Sequence, residues 1–241
     1  MLKIVFMGTP DFARDSLQAV YNAGHNICAV FTVPDKPKGR KMELIPCEVK
    51  AYALENNIPI YQPEKLRDNK EILDIIKQLE PDIICVVSYG KILPKEILDI
   101  PKYGCVNVHP SLLPKYRGSA PIQWAILNGD KITGVTTMYI NEEMDAGDII
   151  LQKETKIGEN ETLGELWDRL SKMGAELLVE TLGKIENKTA PRIKQGKDFT
   201  LAPMLNKAGS KIDWENRTAI QIKNLVRGLN PIMGAYAILK R

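Results

Sequence analysis

Short apolar runs rich in β-branched residues, at 4–7, 27–33, 83–87 and 105–108, alternate along the chain with stretches of helical spacing at 11–23, 48–56 and 69–79. That alternation predicts parallel strands joined by crossover helices, a doubly wound, Rossmann-like α/β sheet. Pro59, Pro63 and Pro81 punctuate the exits. Beyond residue 130 the pattern changes. Two β-rich runs, 134–140 and 149–156, flank the turn-forming stretch 141–148 and predict an antiparallel addition, so the sheet is mostly parallel. From 162 to about 182, Leu163, Leu166, Trp167, Leu170, Met173, Leu177 and Leu178 form one apolar stripe, a helix laid over the sheet.

The third part of the chain reads differently. Residues 187–210 are polar and basic, punctuated by Pro191, Gly196, Pro203 and Gly209, which predicts a basic linker. A helix at 218–229, a turn at Asn230-Pro231 and a strand at 235–239 follow. One helix and one strand cannot bury a core of their own, so 211–241 reads as the truncated start of a second domain after a first one at 1–186.

Composition narrows the class of protein. With 241 residues, 44% hydrophobic and 26% charged, the chain is an ordinary globular sequence, which excludes disordered and collagen-like chains. A net charge of +3 is too small for a nucleic-acid coat, so any polyanion contact must come from a local cluster. Cys28, Cys47, Cys85 and Cys105 form no CxxC pair, which argues against a zinc site or a disulfide framework, and no metal is expected. The apolar start at residues 1–7 is too short for a signal or membrane segment, so no membrane partner and a cytoplasmic location are expected.

Gly8-Thr9-Pro10-Asp11-Phe12 follows the first strand, with Thr9 suited to cap the first helix and Pro10 to its first turn. A single glycine is not a dinucleotide fingerprint. Asn107 and His109 are more informative. Period-two alternation puts both on one face at the carboxyl end of a strand, where open α/β sheets place their ligand crevice. An amide beside an imidazole suits a reaction that builds negative charge on a carbonyl oxygen. The other histidine, His25, reads as a surface helix end. A carboxylate to orient the imidazole would come from the turn Met144-Asp145-Ala146-Gly147-Asp148, and residue types alone leave Asp145 and Asp148 both open.

Taken in order, Gly8-Thr9-Pro10-Asp11-Phe12, Pro34-Asp35-Lys36-Pro37-Lys38-Gly39-Arg40, Tyr89-Gly90-Lys91-Ile92-Leu93-Pro94, the segment 107–123 and Met144-Asp145-Ala146-Gly147-Asp148 make the chain resemble the folate-dependent methionyl-tRNA formyltransferase family along its whole length. The resemblance implies formyl transfer from 10-formyltetrahydrofolate to the amino group of initiator methionyl-tRNA by a monomer. It implies Asn107, His109 and Asp145 as the catalytic trio. Folate contacts would come from Ser111, Leu112, Leu113 and Pro114, with the pterin pocket lined by Val87, Tyr89, Gly90, Ile92 and Leu93. The insertion at 35–46, with Lys36, Lys38, Arg40 and Lys41, and Arg117 would approach the tRNA. Two departures stand out: Lys41-Met42-Glu43 where the family carries a glycine and further lysines, and Ile232-Met233 where it carries Trp-Pro. The family's second domain is a C-terminal β-barrel, of which this chain matches the start, so weaker tRNA binding is expected. The trio is shared by formyltransferases that act on amino-sugars or ribonucleotides; these, and a non-catalytic folate- or RNA-binding module, are the alternatives.

Overall fold

Each apolar run becomes a strand and each helical stretch a crossover. The computed structural model describes residues 1–38 and 43–238. The chain runs β1 (Lys3–Gly8), α1 (Asp11–Asn22), β2 (Asn26–Phe31), β3 (Pro37–Lys38), β4 (Glu43–Leu44), α2 (Glu48–Glu55), β5 (Ile60–Tyr61), α3 (Lys70–Leu79) and β6 (Ile83–Val87). It continues through α4 (Lys95–Leu98), β7 (Cys105–His109), α5 (Pro121–Leu127), β8 (Ile132–Tyr139), β9 (Ile149–Lys156), α6 (Leu163–Glu186), a 3₁₀ turn (Lys207–Ser210) and α7 (Ala219–Leu229).

Among the described residues these strands make a seven-stranded sheet in the order β5-β2-β1-β6-β7-β8-β9, plus a small β3-β4 hairpin. The pairings from β5 to β7 are parallel, and those of β7 with β8 and β8 with β9 antiparallel, which is the predicted doubly wound, mostly parallel sheet. Alternation along each strand feeds two cores. Phe6, Cys85, Val87, Val106 and Val108 meet α1, α2, α5 and α6 on one face. Met7, Phe31, Ile84, Val86 and Cys105 meet α3 and α4 on the other. Asn107 and His109 continue the second face from Cys105, past the part covered by those two helices.

The long helix starts where its stripe starts. Thr162 caps α6 by accepting from the Glu165 N–H while Glu165 reaches back to the Thr162 N–H, a reciprocal capping box that leaves few donors unpaired. Thr218 and Gln221 do the same for α7. Thr9 does not cap α1: its hydroxyl donates to the Tyr89 carbonyl and accepts from the Val33 N–H, pinning three loops at one end of the sheet, and Pro10 takes the cap position. The strand expected at 235–239 is, within the described residues, a single bridge of Tyr236 to Lys211, because a strand is defined by its partner. His25 is also more than a surface helix end, since its Nδ1 accepts from the Leu2 N–H.

Within 187–210, Ile193, Thr200 and Ala202 are hydrogen-bonded to residues earlier in the chain. Ile193 exchanges both backbone hydrogen bonds with Ile149, and Thr200 and Ala202 bond the backbone of Arg117. On the far side of α6, Arg227 donates to the carbonyls of Gly158 and Glu161, fastening α7 to the loop before α6.

Gly8 ends β1 where no side chain fits. A Cβ there would lie 2.6 Å from that of Ala13 and 2.8 Å from the Val87 carbonyl oxygen, both fixed in the core. Gly8→Ala should therefore cost about 1–3 kcal/mol, read as a lower urea midpoint at unchanged slope.

Candidate active site

A cavity of about 590 Å³ opens at the carboxyl ends of β6 and β7. Val86, Met138 and Ile140 line one side of it, and Phe12 and Trp167 another. The two aromatics pack edge to face with centroids 5.3 Å apart, and the Trp167 Nε1–H donates to Asp11 at 3.1 Å, so this wall is built across the β1–α1 corner. Ser88 (φ 46°) and Gly90 (φ 81°), both in the left-handed region, turn the chain off β6, and residues 88–93 follow the rim.

Asn107 and His109 both line the cavity, as their two-residue spacing on β7 requires. The structure also chooses between the two aspartates. Asp145 Oδ2 lies 3.7 Å from His109 Nδ1, whereas Asp148 faces Arg192 at 3.8 Å. Both members of the first pair are well buried, the His109 side chain 5% and that of Asp145 14% exposed. Their separation is longer than a hydrogen bond, and such catalytic contacts commonly tighten when substrate binds.

The imidazole is held from behind. His109 Nε2 lies 2.8 Å from the Tyr116 carbonyl oxygen. A carbonyl can only accept, so Nε2 carries the hydrogen, and Nδ1 is the ring atom turned to Asp145. Tyr116 is itself fixed through its phenol, which donates to Asp130 at 2.8 Å and accepts from Asn128 at 3.1 Å. The carboxylate is held from the front, where Oδ2 accepts the Gly118 N–H at 2.8 Å. Gly118 is needed there: at φ 121° any Cβ would meet the Ala202 carbonyl oxygen at 2.8 Å. Gly147 is more constrained still, since a Cβ would fall 1.7 Å from the Tyr139 carbonyl oxygen.

The other expected contacts fall in three groups. Tyr89, Gly90, Ile92 and Leu93 line the cavity, while Val87 points into the helix-covered core beside Phe6. Ser111, Leu112, Leu113 and Pro114 lie behind the cavity wall. Ser111 Oγ donates to the Lys115 carbonyl at 2.6 Å, and Leu113 packs on Met138 and Ile149. Of the basic residues, Lys36 is exposed, the backbone of Lys38 is in β3, and Arg40 and Lys41 lie outside the described residues. The base of their loop is anchored by Asp35, which pairs with Lys50 and accepts from Gln62 at 3.0 Å. These two donors hold its carboxyl below the ordinary carboxylate range. Arg117 is turned inward: its guanidinium donates to Gln195 and stacks on Phe199 at 4.5 Å. Trp167 and Gln123 line the cavity as well, although the sequence pattern places Trp167 only in the α6 stripe. Among the described residues no cluster of His, Cys, Asp and Glu could hold a metal, and no helix is long and apolar enough to cross a membrane.

The sequence profile of the formyl transferase family matches residues 2–182, and that of the formyl transferase C-terminal domain matches 204–241. The chain belongs to the formyl transferase family. This formyl transferase is 55% identical over 236 residues to the methionyl-tRNA formyltransferase of Clostridioides difficile (strain 630), an alignment covering 98% of this chain and 76% of that one. Its fold matches the crystal structure of a 4-N formyltransferase from Francisella tularensis with a TM-score of 0.78 at 22% identity, covering 99% of this chain and 93% of the other. It also matches WlaRD, a sugar 3N-formyl transferase crystallised with dTDP and 5-N-formyl-THF, with a TM-score of 0.71 at 26% identity, over 95% and 79% of the two chains.

Burial, reinforced by Asp130, pushes the Tyr116 phenol of this formyl transferase up to about 12. In an ultraviolet titration Tyr116→Phe should remove one tyrosine from the part that ionises well above the ordinary phenol value of about 10, leaving there the other phenols raised by burial, those of Tyr52, Tyr89 and Tyr139.

Proposed function

We infer that this formyl transferase moves the formyl group of 10-formyltetrahydrofolate to the amino group of methionyl-tRNA. The observation that carries the chemistry is the meeting of Asn107, His109 and Asp145 at one cavity, with imidazole and carboxylate 3.7 Å apart. The acceptor follows from the relative that is identical at more than half of the aligned positions.

The cavity suits a folate. At about 590 Å³ it is in the range of small-molecule sites, and the apolar faces of Val86, Ile92, Leu93 and Met138 match a flat heterocycle. Tyr89, Gly90, Ile92 and Leu93 would hold the pterin; residues 111–114 would support this pocket from behind the wall. When bound, the folate supplies an activated formyl carbon. The Asn107 amide and the His109 ring then face the formyl oxygen as it gains negative charge. Because Nε2–H of His109 is committed to Tyr116, Nδ1 is the atom that would take the proton of the attacking amine and pass it to the folate nitrogen as the bond from that nitrogen to the formyl carbon breaks. Asp145, held by the Gly118 N–H, stabilises the charged ring.

Residues 1–186 form the catalytic unit in this reading, 187–210 connect it, and 211–241 begin the unit that helps hold tRNA. Lys36, Lys38, Arg40 and Lys41 are proposed to meet acceptor-stem phosphates. Arg117 is better employed inside the molecule. That a single chain supplies the whole trio supports a monomer as the acting species, and a charged-tRNA substrate supports a cytoplasmic location.

Transfer of labelled formyl from 10-formyltetrahydrofolate to charged initiator tRNA tests the reading. Asn107→Ala should lower kcat about 10²–10³-fold, as loss of one oxyanion donor does. His109→Ala and Asp145→Asn should lose at least as much, and near-normal rates in all three would overturn the assignment. Replacing Lys36, Lys38, Arg40 and Lys41 by Ala should raise KM for tRNA, leave kcat nearly unchanged and flatten its dependence on salt.

A further inference from the structure

Between 192 and 201 every side chain is exposed except that of Gln195, in the stretch between the two family profiles. Its amide is fully used. Nε2 donates to the Asp145 and Gly147 carbonyls at 2.9 Å each, and Oε1 accepts from Arg117 Nε at 3.0 Å and Nη2 at 2.7 Å. The orientation of the amide is unambiguous, because a guanidinium only donates and carbonyls only accept. One side chain thus spans the two loops that hold the carboxylate: the 145–147 turn that carries it, and the 117–118 peptide whose N–H binds it.

Asp145 stands at φ 51°, in the left-handed region that a non-glycine residue occupies at some cost, so its conformation must be imposed by its neighbours. Gln195 grips the backbone of that turn at residues 145 and 147. We propose that Gln195 is a positioning residue for formyl transfer: it fixes the Asp145 carboxylate against His109, and Arg117 holds Gln195 in place. The proposal rests on the catalytic reading of Asp145. It gives the connecting segment a part in the chemistry that its exposed, polar composition conceals.

Gln195→Glu in the full chain separates positioning from general glue. The new carboxylate keeps, and strengthens, the contact to Arg117, but it removes both hydrogen bonds to the turn and sets oxygen against oxygen. With both substrates saturating, kcat should fall about 10- to 100-fold, the loss expected of a misplaced group, while KM for folate and tRNA stays within about twofold. Melting temperature should stay close to that of the parent. Amide hydrogen exchange at Gly118, whose N–H is bound by Asp145, should accelerate. Arg117→Met should lower kcat similarly, and the double variant should be no worse than the poorer single one, because both act through one contact.

A parental kcat in Gln195→Glu beside an inactive Asp145→Asn overturns the inference and leaves the catalytic reading intact. A fall in kcat with unchanged Gly118 exchange also overturns it, since the effect would then bypass Asp145. Full activity in Asp145→Asn overturns the catalytic reading itself.

Discussion

A carboxylate facing an imidazole at 3.7 Å holds only if something fixes both groups, and in this protein neither is fixed by the element that bears it alone. His109 ends a strand, and the Tyr116 carbonyl sets its ring. Asp145 sits in a turn between β8 and β9, held by an N–H from the 117–118 peptide. Much of the architecture around the cavity supplies these two constraints. Tyr116 is tethered through Asn128 and Asp130 to the end of α5, and Gly118 and Gly147 admit backbone where a side chain would collide.

The sheet explains why this corner is available. On the face bearing Asn107 and His109, α3 and α4 cover the inner strands and reach β7 at Cys105, its first residue. Loops and the 192–202 stretch close the rest, and loops can present backbone N–H and C=O groups where helices would have consumed them internally. A reaction that develops charge on oxygen needs such fixed dipoles beside a dry wall, and Phe12, Met138 and Trp167 provide the wall.

The parts of this plan written in periodicity could be read from the sequence. The strand runs, the α6 stripe and the shared face of Asn107 and His109 all follow from repeats of two or 3.6 residues, which side-chain burial imposes locally. What depended on distant partners could not be read. β3, β4 and β5 are two residues long, too short for any period, and α5 is seven residues long, begins at a proline and has no capping side chain. Thr9 looked like a cap and instead joins three loops. Residue types could not separate Asp145 from Asp148, because the difference is which one faces His109 and which Arg192. The contacts of Arg117 and Gln195 are illegible for one reason: polar side chains that bond partners far away in sequence look the same as solvated ones.

The docking of 192–202 on Ile149 and Arg117 bears on how such proteins can be recombined. A spacer that merely tethers two modules tolerates insertion and exchange, whereas this one is bonded to the earlier chain at Ile193, Gln195, Thr200 and Ala202. A chimaera that takes its second module from another relative should be spliced after Ala202, so that the seam carries the whole docked strip along with the sheet it touches.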